Sequence, residues 1–238
     1  MRERAAKPKR KAYTVVAYGD SWTYGSVANG WHEAKEAGYD WELIHGSWFS
    51  QLRRWLMQMD PETVIYNQGM PGWKSYQGRD HFERRVAALD PDLLILNFAI
   101  NDWTNKIPLH IYKTAMDQIM LEAKRIGCQC VVWTSGPVAA ASEKSYGFES
   151  PMQDSSFPHR FEEYNDTLRN LAAEHRVILA DAERVIRRLW ESGTEISGWF
   201  YDAIHFTQQG HDTIFQCLRD ALALDRRVNK KGRRIAEK

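Results

Sequence analysis

Cysteine is scarce in this chain: Cys128, Cys130 and Cys217 are an odd number and form no C-x-x-C pair. That excludes a disulfide framework and a cysteine-built zinc cluster, and makes a reducing, cytoplasmic setting the expectation. Long apolar runs are missing as well. The longest nearly uncharged one, Leu93 to Ile100, is far short of the ~20 residues that span a bilayer. The opening MRERAAKPKRKAY has no apolar stretch behind its charges, so neither a transmembrane helix nor a secretory signal is expected. The chain has no phosphate-binding loop, no dinucleotide fingerprint and no metal-ligand cluster, so nothing calls for a cofactor. Glycine (15) and proline (8) are too few for a collagenous or low-complexity chain. What remains is a globular composition, 43% hydrophobic and 26% charged over 238 residues, large enough for one sizeable core.

The net charge of +1 hides an asymmetry. Residues 2 to 11 balance at +5 and residues 226 to 238 at +6, which leaves −10 on residues 12 to 225. An acidic domain over 12–225 therefore carries two basic tails, 1–11 and 226–238, expected to be disordered and solvated. A weak, salt-sensitive contact of these tails with nucleic acid or an anionic surface is the sharper reading.

Between the tails, five short apolar runs recur: Tyr13 to Tyr18, Thr63 to Tyr66, Leu93 to Phe98, Cys130 to Trp133 and Val177 to Leu179. Leu93 to Phe98 is almost continuously apolar where a half-exposed strand would alternate, the habit of a parallel sheet buried on both faces. Helical patterns separate the runs. One starts at Pro108, sets Ile111, Ala115, Ile119, Ala123 and Ile126 along a face, and stops at Gly127. Asp60-Pro61 and Asp90-Pro91 end two others. A last helix, about Gln208 to Leu224, turns Ile214, Phe215, Leu218, Ala221 and Leu222 inward. The alternation predicts an α/β fold: a three-layer α/β/α sandwich on a five-stranded parallel sheet, in one domain. Two long connections, about 22 to 46 and 136 to 158, interrupt it, and loops of that length are often functional.

Polar motifs follow the strands. Gly19-Asp20-Ser21-Trp22 comes after the first, Asn67-Gln68-Gly69-Met70-Pro71-Gly72 after the second, and Ala99-Ile100-Asn101-Asp102 after the third. Asp202-Ala203-Ile204-His205 precedes the last helix. The carboxyl ends of parallel strands form one rim where ligands bind, so the first three should converge there and the fourth can join them.

With these four blocks in this order, the sequence resembles the SGNH or GDSL hydrolase family of esterases and lipases over nearly all of residues 13 to 225. The resemblance implies a flavodoxin-like sheet, Ser21 as nucleophile, Gly69 and Asn101 as oxyanion-hole donors, and Asp202 and His205 as the rest of a triad. Trp22, Ala99, Ala203 and Phe206 depart from the family's usual Leu, Gly, Gly and Pro, which leaves the reacting groups intact and the subfamily open.

The chemistry can be reasoned independently. A serine hydroxyl attacks only if a base takes its proton, and an imidazole suits that task, so His205 is the candidate base. A carboxylate three residues earlier, Asp202, can hold the tautomer and stabilise the imidazolium. The N–H groups of Ser21 and Gly69 and the amide of Asn101 can then receive an oxyanion. Blander roles compete: Ser21 as a helix N-cap, Asn101 as a turn residue, Asp202 and His205 as a cap pair for the final helix. His211 reads as a surface helix residue, Asp20 and Asp102 as hydrogen-bond partners, and Cys128 and Cys130 as small core residues.

Trp22, Trp73, Trp103 and Trp199 flank the blocks, and read either as caps on the core or as an aromatic mouth that binds substrate. The 22 to 46 connection adds Trp31, Tyr39 and Trp41, with Asn29, His32, Glu33, Glu36 and Asp40 to bond hydroxyl groups. The 136 to 158 connection, with Glu143, Lys144, Glu149 and Asp154, is too polar to roof an acyl tunnel. The expected substrate is thus a short-chain ester, in particular an O-acetyl group on a carbohydrate. The alternatives are a lysophospholipase or thioesterase on longer chains, an acyltransferase, and a non-catalytic binding module.

Overall fold

In the computed structural model the described residues are 12–137, 157–202 and 204–224. The two basic tails and the polar residues 143 to 154 lie outside them. Five strands, β1 (Thr14–Gly19), β2 (Val64–Gly69), β3 (Leu93–Asn97), β4 (Gln129–Trp133) and β5 (Ile178–Ala180), form one sheet of order β2-β1-β3-β4-β5. Every pair is parallel. This is the doubly wound, flavodoxin-like order expected from the sequence. β1 and β3, in the middle, are buried at every position, while the edge strand β2 leaves Val64 and Tyr66 partly exposed.

Helices cover both faces. α4 (Ser75–Asp80), α7 (Leu109–Arg125) and α8 (Phe161–His175) pack together on one side, and α3 (Trp48–Met59), α9 (Ala182–Glu191) and α10 (Gln208–Leu224) on the other. Short helices α1 (Ser21–Tyr24), α2 (Trp31–Glu36), α5 (Phe82–Arg85) and α6 (Ile100–Thr104) complete the set among the described residues. α10 has the predicted bounds and buries Ile214, Leu218 and Leu222. α7 sits between Pro108 as N-cap and Gly127, as read, and buries Ala115, Ile119 and Ala123 as expected, but its stripe extends to Tyr112, Met116 and Met120 and leaves Ile111 36% exposed. On that flank the Tyr112 hydroxyl donates to the Phe98 carbonyl, just past β3, at 2.9 Å. Cys128 and Cys130 are buried, as expected of small core residues. No helix among the described residues is long and apolar enough to cross a membrane.

Register aligns the strand ends. Gly19 pairs with Gly69 on one side and Asn97 on the other, so the segments after β1, β2 and β3 leave the sheet side by side. The 22 to 46 connection is not a bare loop. It holds α2 and a 3-10 turn (Trp41–Leu43) and builds a small second core from Tyr24, Ala28, Ala34 and Ile44, with Trp31 and Trp41 against it.

Candidate active site

Ser21 opens the one-turn helix α1, directly off β1. The N-cap is Asp20 rather than Ser21: its Oδ1 accepts the Trp22 N–H at 2.9 Å. The Ser21 N–H, first in the helix, has no intrahelical partner. Its hydroxyl lies 2.9 Å from Nε2 of His205. Burial pushes the Asp20 carboxyl up to about 7, against the pull of the Trp22 N–H and of His205.

The loop that carries Asp202 and His205 is pinned at its base. Phe200 and Phe206 form an antiparallel bridge, the Tyr201 N–H donates to the His205 carbonyl at 2.9 Å, and the Thr207 N–H to that of Trp199 at 2.7 Å. Inside the loop Asp202 accepts the N–H groups of Ile204 and His205 at 2.8 and 2.6 Å, and its Oδ2 meets His205 Nδ1 at 2.8 Å. Burial raises the affinity of Asp202 for a proton, but the bonds from His205 and the two backbone N–H groups outweigh it and hold the carboxyl below its ordinary value. An ionised carboxylate only accepts, so His205 Nδ1 must carry a hydrogen, and the neutral ring then presents Nε2 as an acceptor to the Ser21 hydroxyl. α10 starts three residues after His205, so the pair is not its cap.

Asn101 belongs to the same place. It lies in α6, lines the cavity in front of Ser21 and spends one amide hydrogen on the Trp73 carbonyl at 3.1 Å. The neighbouring Asp102 is buried and accepts both the N–H (2.9 Å) and the hydroxyl (2.6 Å) of Ser75, which ties α6 to the start of α4. Burial lifts its carboxyl to about 6.

Gly69, expected in the oxyanion hole, is not at the cavity. Its N–H is donated to Asn67 Oδ1 at 2.9 Å, and a Cβ there would stand 2.1 Å from the Tyr24 backbone nitrogen. It is glycine because α1 crosses it closely. The glycine that lines the cavity is Gly72, three residues on, at φ +81° and with open space where a Cβ would be. Its N–H has no acceptor among the described residues.

The cavity, of about 340 Å³, is lined by Ser21, Tyr24, Ser26, Val27, Trp31, Tyr39, Pro71, Gly72, Asn101, Tyr201, Asp202 and His205. None of the four tryptophans expected as substrate contacts lines it. Trp22 is 2% exposed, its ring against Phe206 and Trp133, and Trp103 is 1% exposed against Phe157 and Phe161. Trp73 is half-buried between His81 and Arg85, and Trp199 packs on the core. In a one-turn helix consecutive side chains diverge by about 100°, so a neighbour in sequence of Ser21 or Asn101 points into the molecule. The cavity's aromatics are Trp31 and Tyr39, from the 22 to 46 connection, with Tyr24 and Tyr201. Trp41 packs instead on Phe49, 5.1 Å between centroids.

His211, read as a surface residue, is 1% exposed. Its Nε2 donates to the Ser26 carbonyl at 3.0 Å while Nδ1 faces the Trp48 N–H at 3.5 Å, so a neutral ring fastens the cavity-lining Ser26–Val27 turn to α3 and α10. Val27, β-branched, holds φ +73° there, a backbone state that needs such support. Burial lowers the His211 pKa to about 4. The unfolded ring titrates near its ordinary 6.5, so stability is complete above that pH and is lost as pH falls from 6.5 toward 4. In urea unfolding, His211→Gln should lose about 2 kcal/mol less than the parent between pH 7 and pH 4.5. An equal loss in both proteins would contradict a buried neutral ring.

A profile of the GDSL-like Lipase/Acylhydrolase family matches residues 17–213, which includes all four blocks. The chain belongs to this family. It is a carboxylic ester hydrolase, the activity the family carries. No curated protein matches the sequence. Among solved structures, a GDSL-like lipase from Parabacteroides merdae superimposes with a TM-score of 0.70 at 19% identity, over 91% of this chain and 98% of that one. An acetyl-xylooligosaccharide esterase from Geobacillus superimposes with a TM-score of 0.70 at 16% identity, over 90% and 95%. An α/β hydrolase from the metagenome of Lake Arreo gives 0.70 at 18% identity, over 92% and 98%. At these identities the likeness is one of fold, and it agrees with the flavodoxin-like order above.

Proposed function

We propose that the protein hydrolyses short-chain esters, such as O-acetyl groups of carbohydrates, through an acyl-serine intermediate. The observation that carries this is the continuous line from Ser21 Oγ to His205 Nε2 (2.9 Å) and from His205 Nδ1 to Asp202 Oδ2 (2.8 Å). Ser21 Oγ attacks the ester carbonyl as Nε2 takes its proton, and Asp202 stabilises the imidazolium. The negative oxygen of the tetrahedral species is received by the N–H groups of Ser21 and Gly72 and by the second amide hydrogen of Asn101. Collapse breaks the bond to the alcohol, which leaves with the proton from Nε2. Water then attacks acyl-Ser21 with His205 again as base, releasing the acid and restoring the hydroxyl.

Short acyl groups are favoured by the cavity. Its volume, about 340 Å³, is at the low end of ligand sites, and tyrosine and tryptophan rings line it. The acetylated-sugar substrate named for the Geobacillus neighbour is consistent with this reading.

The test is a chain-length series of nitrophenyl esters beside acetylated xylo-oligosaccharides. Highest kcat/KM at acetyl and propionyl, with acetate released from the sugar, is the expected result; a steady rise from C4 to C12 would overturn it. Asn101→Ala should lower kcat by about 10²–10³ with little change in KM, because its amide binds the transition state better than the ester. A variant changed mainly in KM would show that Asn101 only holds substrate.

A further inference from the structure

The aromatic wall of the cavity comes from two segments far apart in sequence. Trp31 opens α2 in the 22 to 46 connection, and Tyr201 immediately precedes Asp202. Their rings meet edge to face, centroids 6.0 Å apart at 66°. His32 joins them, 5.0 Å from Trp31 and 6.4 Å from Tyr201. Tyr39 completes the rim at 58% exposure, its carbonyl fixed by the Tyr24 hydroxyl at 2.8 Å and its N–H by the Ala34 carbonyl at 2.7 Å. Trp31 rests on the small core of Tyr24, Ala28, Ala34 and Ile44, so its ring is held by packing rather than swinging from a loop.

The charges around this wall are as informative as its rings. Among the described residues, the ionisable side chains lining the cavity apart from Asp202 and His205 are tyrosines, and no lysine or arginine lines it. Lys35 stands against Trp31 itself, 5.4 Å from the ring centroid. A leaving group that carries phosphates would meet no lysine or arginine of the described residues in the cavity, whereas a neutral one with a flat C–H face finds fixed indole and phenol rings. Half-exposed aromatic rings held rigidly are well suited to such a face, because little side-chain freedom is lost on contact.

We propose that Trp31, buttressed by Tyr201, is the specificity-determining platform of this site, on which the pyranose ring bearing the ester lies while its acyl group enters toward Ser21. The inference rests on the acyl-serine reading above and adds to it the residue that selects the alcohol. Trp31 lies outside the four motifs that carry the chemistry, and its role is in binding the leaving group, not in proton transfer.

The test compares two acetyl esters that differ only in the alcohol: methyl tri-O-acetyl-β-xylopyranoside and ethyl acetate, followed by acid release. In the parent protein kcat/KM should favour the sugar ester. In Trp31→Ala the ratio of the two kcat/KM values should fall by about 10- to 100-fold, chiefly through KM of the sugar ester, the range seen when a buried aromatic anchor is truncated. Trp31→Leu, which keeps apolar bulk for the small core, should show the same fall, and Trp31→Phe should restore most of the ratio. If both esters lose in equal proportion in the Ala and Leu variants, or Leu retains the parent ratio, the platform is overturned. A parent protein that hydrolyses neither ester overturns the acyl-serine reading itself and the platform with it.

Discussion

Asp202→Asn should lower kcat/KM for ethyl acetate by about 10⁴ while the thermal unfolding curve stays close to that of the parent. The carboxylate accepts from His205 Nδ1 and so leaves Nε2 as the acceptor that faces Ser21. An asparagine amide at the same place can donate to Nδ1, and the ring then turns its hydrogen toward the Ser21 hydroxyl. A base that already holds its proton at Nε2 cannot take one. The backbone bonds to Oδ1 from Ile204 and His205 survive the change, so the loop keeps its shape. A fall of less than tenfold, measured on folded protein, would mean that Asp202 organises the loop and does not set the tautomer.

The second large effect is on the fold. Gly69→Ala places a Cβ 2.1 Å from the Tyr24 nitrogen, 2.6 Å from its Cα and 2.7 Å from the Thr23 carbonyl carbon. All three are backbone atoms of or beside α1, with no side chain to swing away. The cost should be about 3–5 kcal/mol in urea unfolding, at the upper end for a single substitution. Gly72→Ala meets no atom within 4 Å and suffers only from its φ of +81°, about 1–2 kcal/mol. The two glycines of one short motif thus separate by experiment: the first lets α1 approach β2, the second lines the cavity. Similar costs for both would contradict that division.

Much of this was legible in the sequence because the signals were local or periodic. β3 declared itself by near-continuous apolarity, as a strand buried on both faces does, α7 by Pro108 and Gly127 at its ends, and α10 by its stripe. Ser21, Asn101, Asp202 and His205 were legible as residue types whose chemistry has few other uses at strand ends. What failed was direction. Asn67-Gln68-Gly69-Met70-Pro71-Gly72 offers two glycines, and only the backbone path shows which meets Tyr24 and which the cavity. Trp22 and Trp103 lie one and two residues after the cavity residues Ser21 and Asn101, yet a turn of helix sends their rings into the core. For His211 the signal existed: it stands on the stripe of Ile214, Leu218 and Leu222, and polarity alone suggested the surface. Tyr201 as a wall of the cavity had no signal, since its meeting with Trp31 depends on where the 22 to 46 connection folds back.

The central claim is that Ser21 is the nucleophile, activated by His205. The most direct measurement is mass spectrometry of the protein after treatment with a fluorophosphonate ester, whose phosphorus is attacked by an activated serine oxygen with loss of fluoride. The account predicts a single adduct on the peptide that contains Ser21, absent from Ser21→Ala and formed far more slowly in His205→Ala, with ester hydrolysis lost in step with labelling. Unlabelled Ser21 in a protein that still hydrolyses esters, or full hydrolysis by Ser21→Ala, would contradict it.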